Sequence, residues 1–272
     1  MRQINHNLFV RELRRNALSL IIWTTILTAL IAATMSVYPT FLGNQSKIMG
    51  LLSLIPKEAL QFKGISNFSD LLSVLGFYAV NNIIYMLVIG SVYAIVLSSN
   101  ILLKEEYNKT AEYLLTRPLT RSEIFLSKLA VISINVFVLN LVTSLVGFIF
   151  IELVKKGSFS VSAFLILSLY TLLLNFLFAS TGLFLSTIVK RPKPITTFCI
   201  GLVIILYFVF TLSKITESVA KIGYLTPFKY VDTNVIDPAY KLNPISLMYF
   251  IVISMLLLIL SYKLYLRKDI YT

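Results

Sequence analysis

The chain has 272 residues, of which 57% are hydrophobic and only 13% charged. Soluble domains carry roughly 45–50% apolar and 25% charged residues, and no water-soluble globule of this length has interior enough for such a surplus, so a soluble domain is excluded. The surplus also excludes disorder; 10 Gly and 8 Pro exclude fibrous or low-complexity classes, and the single cysteine, Cys199, excludes a disulfide framework.

The fold class that follows is an all-α integral membrane protein, a single transmembrane domain over residues 1–272. A helix needs about 20 apolar residues to cross the hydrocarbon core, and six runs qualify. They are Ala17 to Tyr38, a run ending at Leu103, Ile124 to Ile151, Val161 to Val189, Ile195 to Ser213, and Ile245 to Leu264. The second is clean from Ile83 and can extend back to Leu71. The runs are continuous and do not alternate apolar with polar, which argues against a β-barrel. The first run is too long for the apolar part of a cleaved signal peptide, so it reads as a retained span.

The net charge is +12. The basic residues flank the apolar runs, so they read as topology determinants facing anionic lipid rather than as a nucleic-acid surface. Residues 1–16, 104–128, 190–193 and 263–268 hold 15 of the 24 Lys and Arg, against 9 on the longer alternate loops. The first set therefore marks the cytoplasmic side, which places both termini inside.

The basic entry, residues 1–16, puts Phe9, Val10, Leu13 and Ala17 on one helical face, with Ile4 and Leu8 off that stripe. It reads either as a helix lying in the inner interface or as a charged tail that only sets topology. The outer loop Pro39 to Asp70 contains a candidate interfacial helix around Leu51, Leu54 and Ile55. The densest information lies in 104–121, KEEYNKTAEYLLTRPLTR. Glu105 and Lys109 are four apart in the favourable order, and Tyr107, Ala111, Leu114 and Leu115 form an apolar stripe. Pro118 ends the short helix, and Thr120 with Glu123 has capping-box spacing just before the third run. Helix, sharp turn and new helix start are thus written in sequence. Local physics leaves two uses open, docking of a partner or an ordinary helical hairpin connection. The last outer loop, 214–244, mixes Pro, Lys, Asp and aromatic residues, which suits a broken helix at the headgroup level.

Reactive chemistry is sparse. The sequence has no G-x-x-x-x-G-K-[ST], H-E-x-x-H or G-x-S-x-G, and His6 stands alone near a terminus. Catalytic, cofactor-binding and metal residues are therefore not assigned. Cys199 lies in an apolar run and reads as a core residue. Lys128 and Glu152 bracket the third run and read as snorkelling to the two interfaces. Mid-span carboxylates, the usual mark of ion-coupled transport, are missing. Asn135, Asn140 and Asn175 lie mid-span, with Asn81, Asn82 and Asn100 nearer the ends of the second run, and they read as interhelical hydrogen-bonding groups.

In this setting the chain resembles the permease subunits of type-2 ABC exporters. Six spans with both ends inside follow a basic N-terminal helix. After the second span stand Glu105/Glu106, Thr110, Glu112, Leu114, Leu115, Pro118, Arg121, Ile124 and Lys128, where that family shows E…G-T-x-E-x-L-L-x-x-P-x-x-R-x-x-I-x-x-x-K. Pro227, Phe228, Lys229 and Tyr230 match its outer-loop P-[FW]-x-Y/F. Lys109 departs from the usual Gly.

The resemblance implies an ATP-driven exporter in which this chain is not the enzyme. A separate ATP-binding subunit, holding ATP and Mg, docks on Glu105, Glu106, Tyr107, Thr110, Glu112, Leu114, Leu115, Pro118 and Arg121, and the short helix becomes a coupling helix. A second permease copy or a homologue encloses the pathway in the plasma membrane of a bacterial or archaeal cell. Lipids, peptides and drugs are among the substrates such permeases move. The competing readings are a stand-alone secondary transporter, which lacks support from mid-membrane carboxylates or an inverted repeat, and a membrane-embedded enzyme, which lacks a paired acid, base or metal set.

Overall fold

The structure, a computed structural model, describes residues 4–52, 71–107, 119–189, 192–215, 217–235, 237 and 240–267. Its helices are α1 (His6–Gly43), α2 (Gln45–Leu52), α3 (Val74–Tyr85), α4 (Ser91–Tyr107), α5 (Arg121–Val154), α6 (Val161–Ile188), α7 (Pro192–Ile215) and α8 (Pro244–Arg267). A π-helical turn, Met86–Gly90, joins α3 to α4, and two 3₁₀ pieces, Glu217–Leu225 and Pro227–Tyr230, precede α8. Among the described residues six helices are long and apolar enough to cross a membrane, as the six apolar runs require.

Local chemistry starts the helices where the sequence places the signals. Asn5 accepts from the Leu8 amide at the start of α1, and Ser160 from the Ala163 amide at the start of α6. At α5 the capping box is complete. The Thr120 side chain accepts from the Glu123 amide, while the Glu123 carboxylate takes the Thr120 amide at 2.7 Å. Pro192 and Pro244 occupy first-turn positions, where a missing N–H costs nothing. Pro39 lies inside α1, near its end. At 38 residues α1 is about 57 Å long, well beyond a hydrocarbon core of about 30 Å.

Burial orders the bundle. The apolar window of the second span is 78% buried, against 17% for the first and the last, so α4 is central and α1 and α8 are peripheral. Helix α6 lies along α4, α8 lies on α6, α7 on α4, and α1 runs along α5. The outward faces of α1 (Leu18, Ile21, Ile22, Ile26) and α8 (Ile251, Val252, Met255, Leu256, Ile259) are exposed and apolar, as lipid contact demands.

Helices in lipid gain little from hiding apolar surface from one another, so close backbone approach matters more. Helices α4 and α6 achieve it through small residues. A Cβ at Gly182 would sit 2.5 Å from the Ile95 carbonyl oxygen, and Ser98, Ala94 and Ala179 are buried nearby. Gly90, the last residue of the π turn, faces the Asn175 amide, with room for a Cβ only at 2.8 Å from Nδ2.

Three expectations are corrected. The sequence predicts a basic entry, residues 1–16, distinct from a span starting at Ala17, but α1 runs from His6 through that point without a break. The face that α1 buries there is Leu8, Glu12 and Asn16, whereas Phe9, Val10, Leu13 and Ala17 are only half-buried. The polar members of that face find partners within α1, Glu12 in Arg11 and Arg15 and Asn16 in the Glu12 carbonyl, while Leu8 joins the apolar cluster with Ile124 and Phe125. Lys128 does not snorkel. It is fully buried, and its ammonium donates to the Ile101 carbonyl at 2.6 Å. Glu152 does remain half-exposed, paired with Lys155 at 2.5 Å.

The α4–α6 contact generates opposed outcomes for two glycines. Gly182→Ala is expected to destabilise the bundle by about 1–3 kcal/mol, because backbone cannot move aside. Gly201→Ala, with nothing within 4 Å, is expected to stabilise it by about 0.5–1 kcal/mol. Unfolding of both variants by denaturing detergent measures the pair.

Candidate coupling and docking site

Of the proposed docking residues, Glu105, Glu106 and Tyr107 form the last turn of α4, whose backbone is helical to Tyr107. Thr110, Glu112, Leu114, Leu115 and Pro118 lie outside the described residues. Arg121 is the first residue of α5. The two arms that hold the 108–118 segment are therefore placed, and the site is built from them.

The start of α5 is a junction of four other elements. The Arg121 guanidinium donates to the Leu266 carbonyl at the end of α8, at 3.3 Å. Ser122 and Tyr262 of α8 share a hydroxyl–hydroxyl bond of 2.9 Å. Phe125 packs on the rings of Tyr262 and Tyr265 at 5.4 and 5.7 Å. Ser127 receives the Asn5 amide at the head of α1, and Lys128 holds the Ile101 carbonyl of α4. One apolar cluster binds these arms together: Leu8, Ile101, Leu102, Ile124, Phe125 and Tyr265, with Ala179 and Leu183 of α6. The first two turns of α5 thus contact α1, α4, α6 and α8.

From this junction a polar track continues into the bundle. The Tyr93 hydroxyl donates to Asn135 Oδ1 at 3.2 Å. Asn175 donates to Asn140 Oδ1 at 3.1 Å and accepts from Ser91 Oγ at 3.1 Å. Asn135 and Asn140 give their remaining protons to the carbonyls of Val131 and Val136 on their own helix. The expected interhelical role of Asn135, Asn140 and Asn175 is what the structure has, and it links α4, α5 and α6. Asn100 exchanges hydrogen bonds with Thr196 of α7, while Asn81 bonds only its own helix, to the Phe77 carbonyl. Cys199 is a buried core residue.

Glu12 is the residue that sequence reasoning missed. Its carboxylate is fully buried, 2.7 Å from Arg15 Nη2 and 3.5 Å from Arg11 Nη2. The Arg15 contact is an ion pair without hydrogen-bond alignment at Oε2. A lone acid inside a run of three arginines, with Arg15 at i+3, was the available signal. The buried acid is thus paired within α1 itself, with the two arginine side chains partly exposed at the rim.

The outer-loop motif sits at the opposite end. Thr226 Oγ1 bonds the Gly223 carbonyl, ending the first 3₁₀ piece, and Pro227 opens the second. Pro227 and Phe228 are buried. The Phe228 ring lies 5.4 Å from Phe178, 5.4 Å from Tyr207 and 6.1 Å from Phe210, so it fixes the loop onto α6 and α7. Tyr230 stacks on Tyr249 of α8 at 3.7 Å and 8°. Below it Tyr240 donates to the Asp232 carbonyl; burial, with Asp232 and Tyr170 adding to it, holds its phenol well above the usual range. The broken helix expected in 214–244 is thus a pair of 3₁₀ turns plugged into the bundle by one phenylalanine.

Six helices long and apolar enough to cross a membrane, with an aromatic-plugged loop before α8 and a junction at the start of α5, define a multi-pass membrane protein. A family model described as ABC-2 family transporter protein matches residues 9–270, and the chain belongs to that family. It is accordingly a transport subunit of an ABC transporter rather than a catalytic one. No curated protein matches the sequence.

Two measurements check the site. A double-mutant cycle on Asn140→Ala and Asn175→Ala, read by detergent unfolding, is expected to give a coupling of about 0.6 kcal/mol and no more than about 1.7. Phe228→Ala is expected to cost about 3–5 kcal/mol and to raise protease sensitivity of the 217–235 loop first.

Proposed function

We propose that this chain is the membrane half of an ATP-driven exporter, with its energy supplied by a separate ATP-binding subunit that binds ATP and Mg. That subunit docks on the segment between α4 and α5, at the end of the bundle that the distribution of Lys and Arg marks as cytoplasmic. Glu105, Glu106 and Glu112 meet basic groups on the partner, Leu114 and Leu115 fill an apolar cleft in the manner of a helix in a groove, and Pro118 sets the turn. Arg121 fixes the angle through its bond to the end of α8. A second permease copy or a homologue completes the pathway, and the setting is the plasma membrane of a bacterium or archaeon. A largely apolar bundle suits hydrophobic or amphipathic substrates such as lipids, peptides and drugs.

The observation that carries this reading is the junction at the start of α5. It joins the arms of the 104–121 segment to α1, α6 and α8 through hydrogen bonds and one apolar cluster. Such a joint spreads a displacement across the bundle, and a mere hairpin connection needs no such reach.

The test is co-purification of the tagged chain in mild detergent, with and without Leu114→Asp plus Leu115→Asp. A P-loop ATPase, identified by mass spectrometry, is expected with the wild type and at least ten-fold depleted from the double variant. Wild type that purifies alone and transports without ATP would return the chain to the stand-alone transporter reading.

A further inference from the structure

Lys128 stands out among the buried groups. An ammonium removed from water loses several kcal/mol of solvation unless protein atoms replace the lost partners. Lys128 is nonetheless wholly buried, seven residues into α5, and reaches across to α4. Its acceptor is the Ile101 carbonyl, at 2.6 Å, three residues before Lys104 and the start of the proposed docking stretch. The contact is therefore a charge-assisted cross-link between the two arms that flank residues 104–121, roughly twice as strong as a neutral one.

The position of this cross-link along the hairpin matters as much as its strength. Lys128 meets Ile101, Asn135 meets Tyr93, Asn140 reaches Ser91 through Asn175, and Gly147 faces the Tyr78 ring. Moving forward along α5, each contact falls earlier in α3–α4, so the two rods are held in one antiparallel register. Lys128 is the rung of that ladder nearest the docking segment, and it carries the ladder's only charge among the contacts named. Its loss removes a directional contact from this end of the hairpin, where Ile101 and Leu102 otherwise share an apolar cluster with Ile124 and Phe125.

We infer that Lys128 is a positioning residue for energy coupling: its clamp on the Ile101 carbonyl makes α4 and α5 move as one body when the ATP-binding subunit displaces the segment between them. The inference rests on the permease–ATPase reading above. Loss of the clamp leaves the docking segment able to bind and to permit ATP hydrolysis, while the outer end of the bundle no longer follows.

The test uses the complex of this chain with its co-purified ATPase in lipid nanodiscs. Cys199→Ser removes the native thiol, and Gly157→Cys, in the exposed loop between α5 and α6, carries an environment-sensitive fluorophore. Two quantities are read on the same sample, the ATP hydrolysis rate and the ATP-plus-vanadate change in fluorescence. In Lys128→Met, similar in volume but uncharged, hydrolysis within two-fold of wild type and a fluorescence response reduced at least five-fold are expected. Lys128→Arg is expected to restore at least half of the response. Amide exchange over 102–107 should rise at least five-fold in the Met variant and stay near wild type over 192–215, which a general loosening would not produce. Lys128→Gln is carried in parallel, so that misfolding of the Met variant still leaves an uncharged replacement to read. An undiminished response in a folded Met or Gln variant overturns the inference and leaves the permease–ATPase reading intact. A wild-type chain that binds no ATPase overturns both.

Discussion

Inside a bilayer a polar group has no water to fall back on, and this constraint organises the buried face of α5. Ser127, Lys128, Asn135, Asn140 and Thr143 all lie on it, and each is buried. A hydrocarbon environment would leave them unsatisfied at a cost of several kcal/mol each. The bundle answers by presenting a partner for each from a specific neighbour or from the preceding turn: the Asn5 amide, the Ile101 carbonyl, the Tyr93 hydroxyl, Asn175, and the Leu139 carbonyl for Thr143. These directional bonds, together with the close approach at Gly182, fix the register in which α1, α4, α5 and α6 meet.

That register also connects the two motif-bearing segments, which lie at opposite ends of the bundle. The segment after α4 enters α5 at a capping box, and within eight residues α5 has engaged α1, α4 and α8. At the far end Phe228 fills a ring of aromatic side chains between α6 and α7, and Tyr230 rests on α8. Helix α6 spans the distance between them. It contributes Ala179 and Leu183 to the cluster at the junction, Asn175 to the polar track, and Tyr170, whose hydroxyl accepts from the Asn243 amide just before α8. Helix α6, set closely against α4 at Gly182, thereby connects the junction at the start of α5 with the aromatic loop before α8.

The π turn at Met86–Gly90 adds a local compromise. A π bulge widens the helix by one residue and is frequent where function needs a deviation from regular packing. Here it falls where Gly90 meets Asn175 and immediately before Ser91, which bonds the same amide. The widened turn brings the second span into hydrogen-bonding distance of α6 at its middle, where no ordered solvent is expected to help. The π turn opens the apolar span Met86–Leu103, and Gly90, Ser91 and Asn175 make the contact there.

The six spans, the capping box at Thr120 and Glu123, the broken loop before the last span and the interhelical use of Asn135, Asn140 and Asn175 were all legible in the sequence. Each rests on a local rule, such as run length, cap spacing, a proline or the cost of an unpaired amide in lipid, and such rules need no knowledge of neighbours. What only the tertiary structure decided is which neighbour each residue meets. Lys128 and Glu152 look alike as charges bracketing one run, yet one is buried on a carbonyl of α4 and the other stays half-exposed beside Lys155. Leu8 and Glu12 form the buried face of α1 in place of the apolar stripe, with Leu8 in the cluster around Phe125 and Glu12 paired to Arg11 and Arg15. Hydropathy reports how much a segment prefers lipid over water, but it carries no information about the single protein group that can stand in for water, and that group is supplied only when the helices are packed.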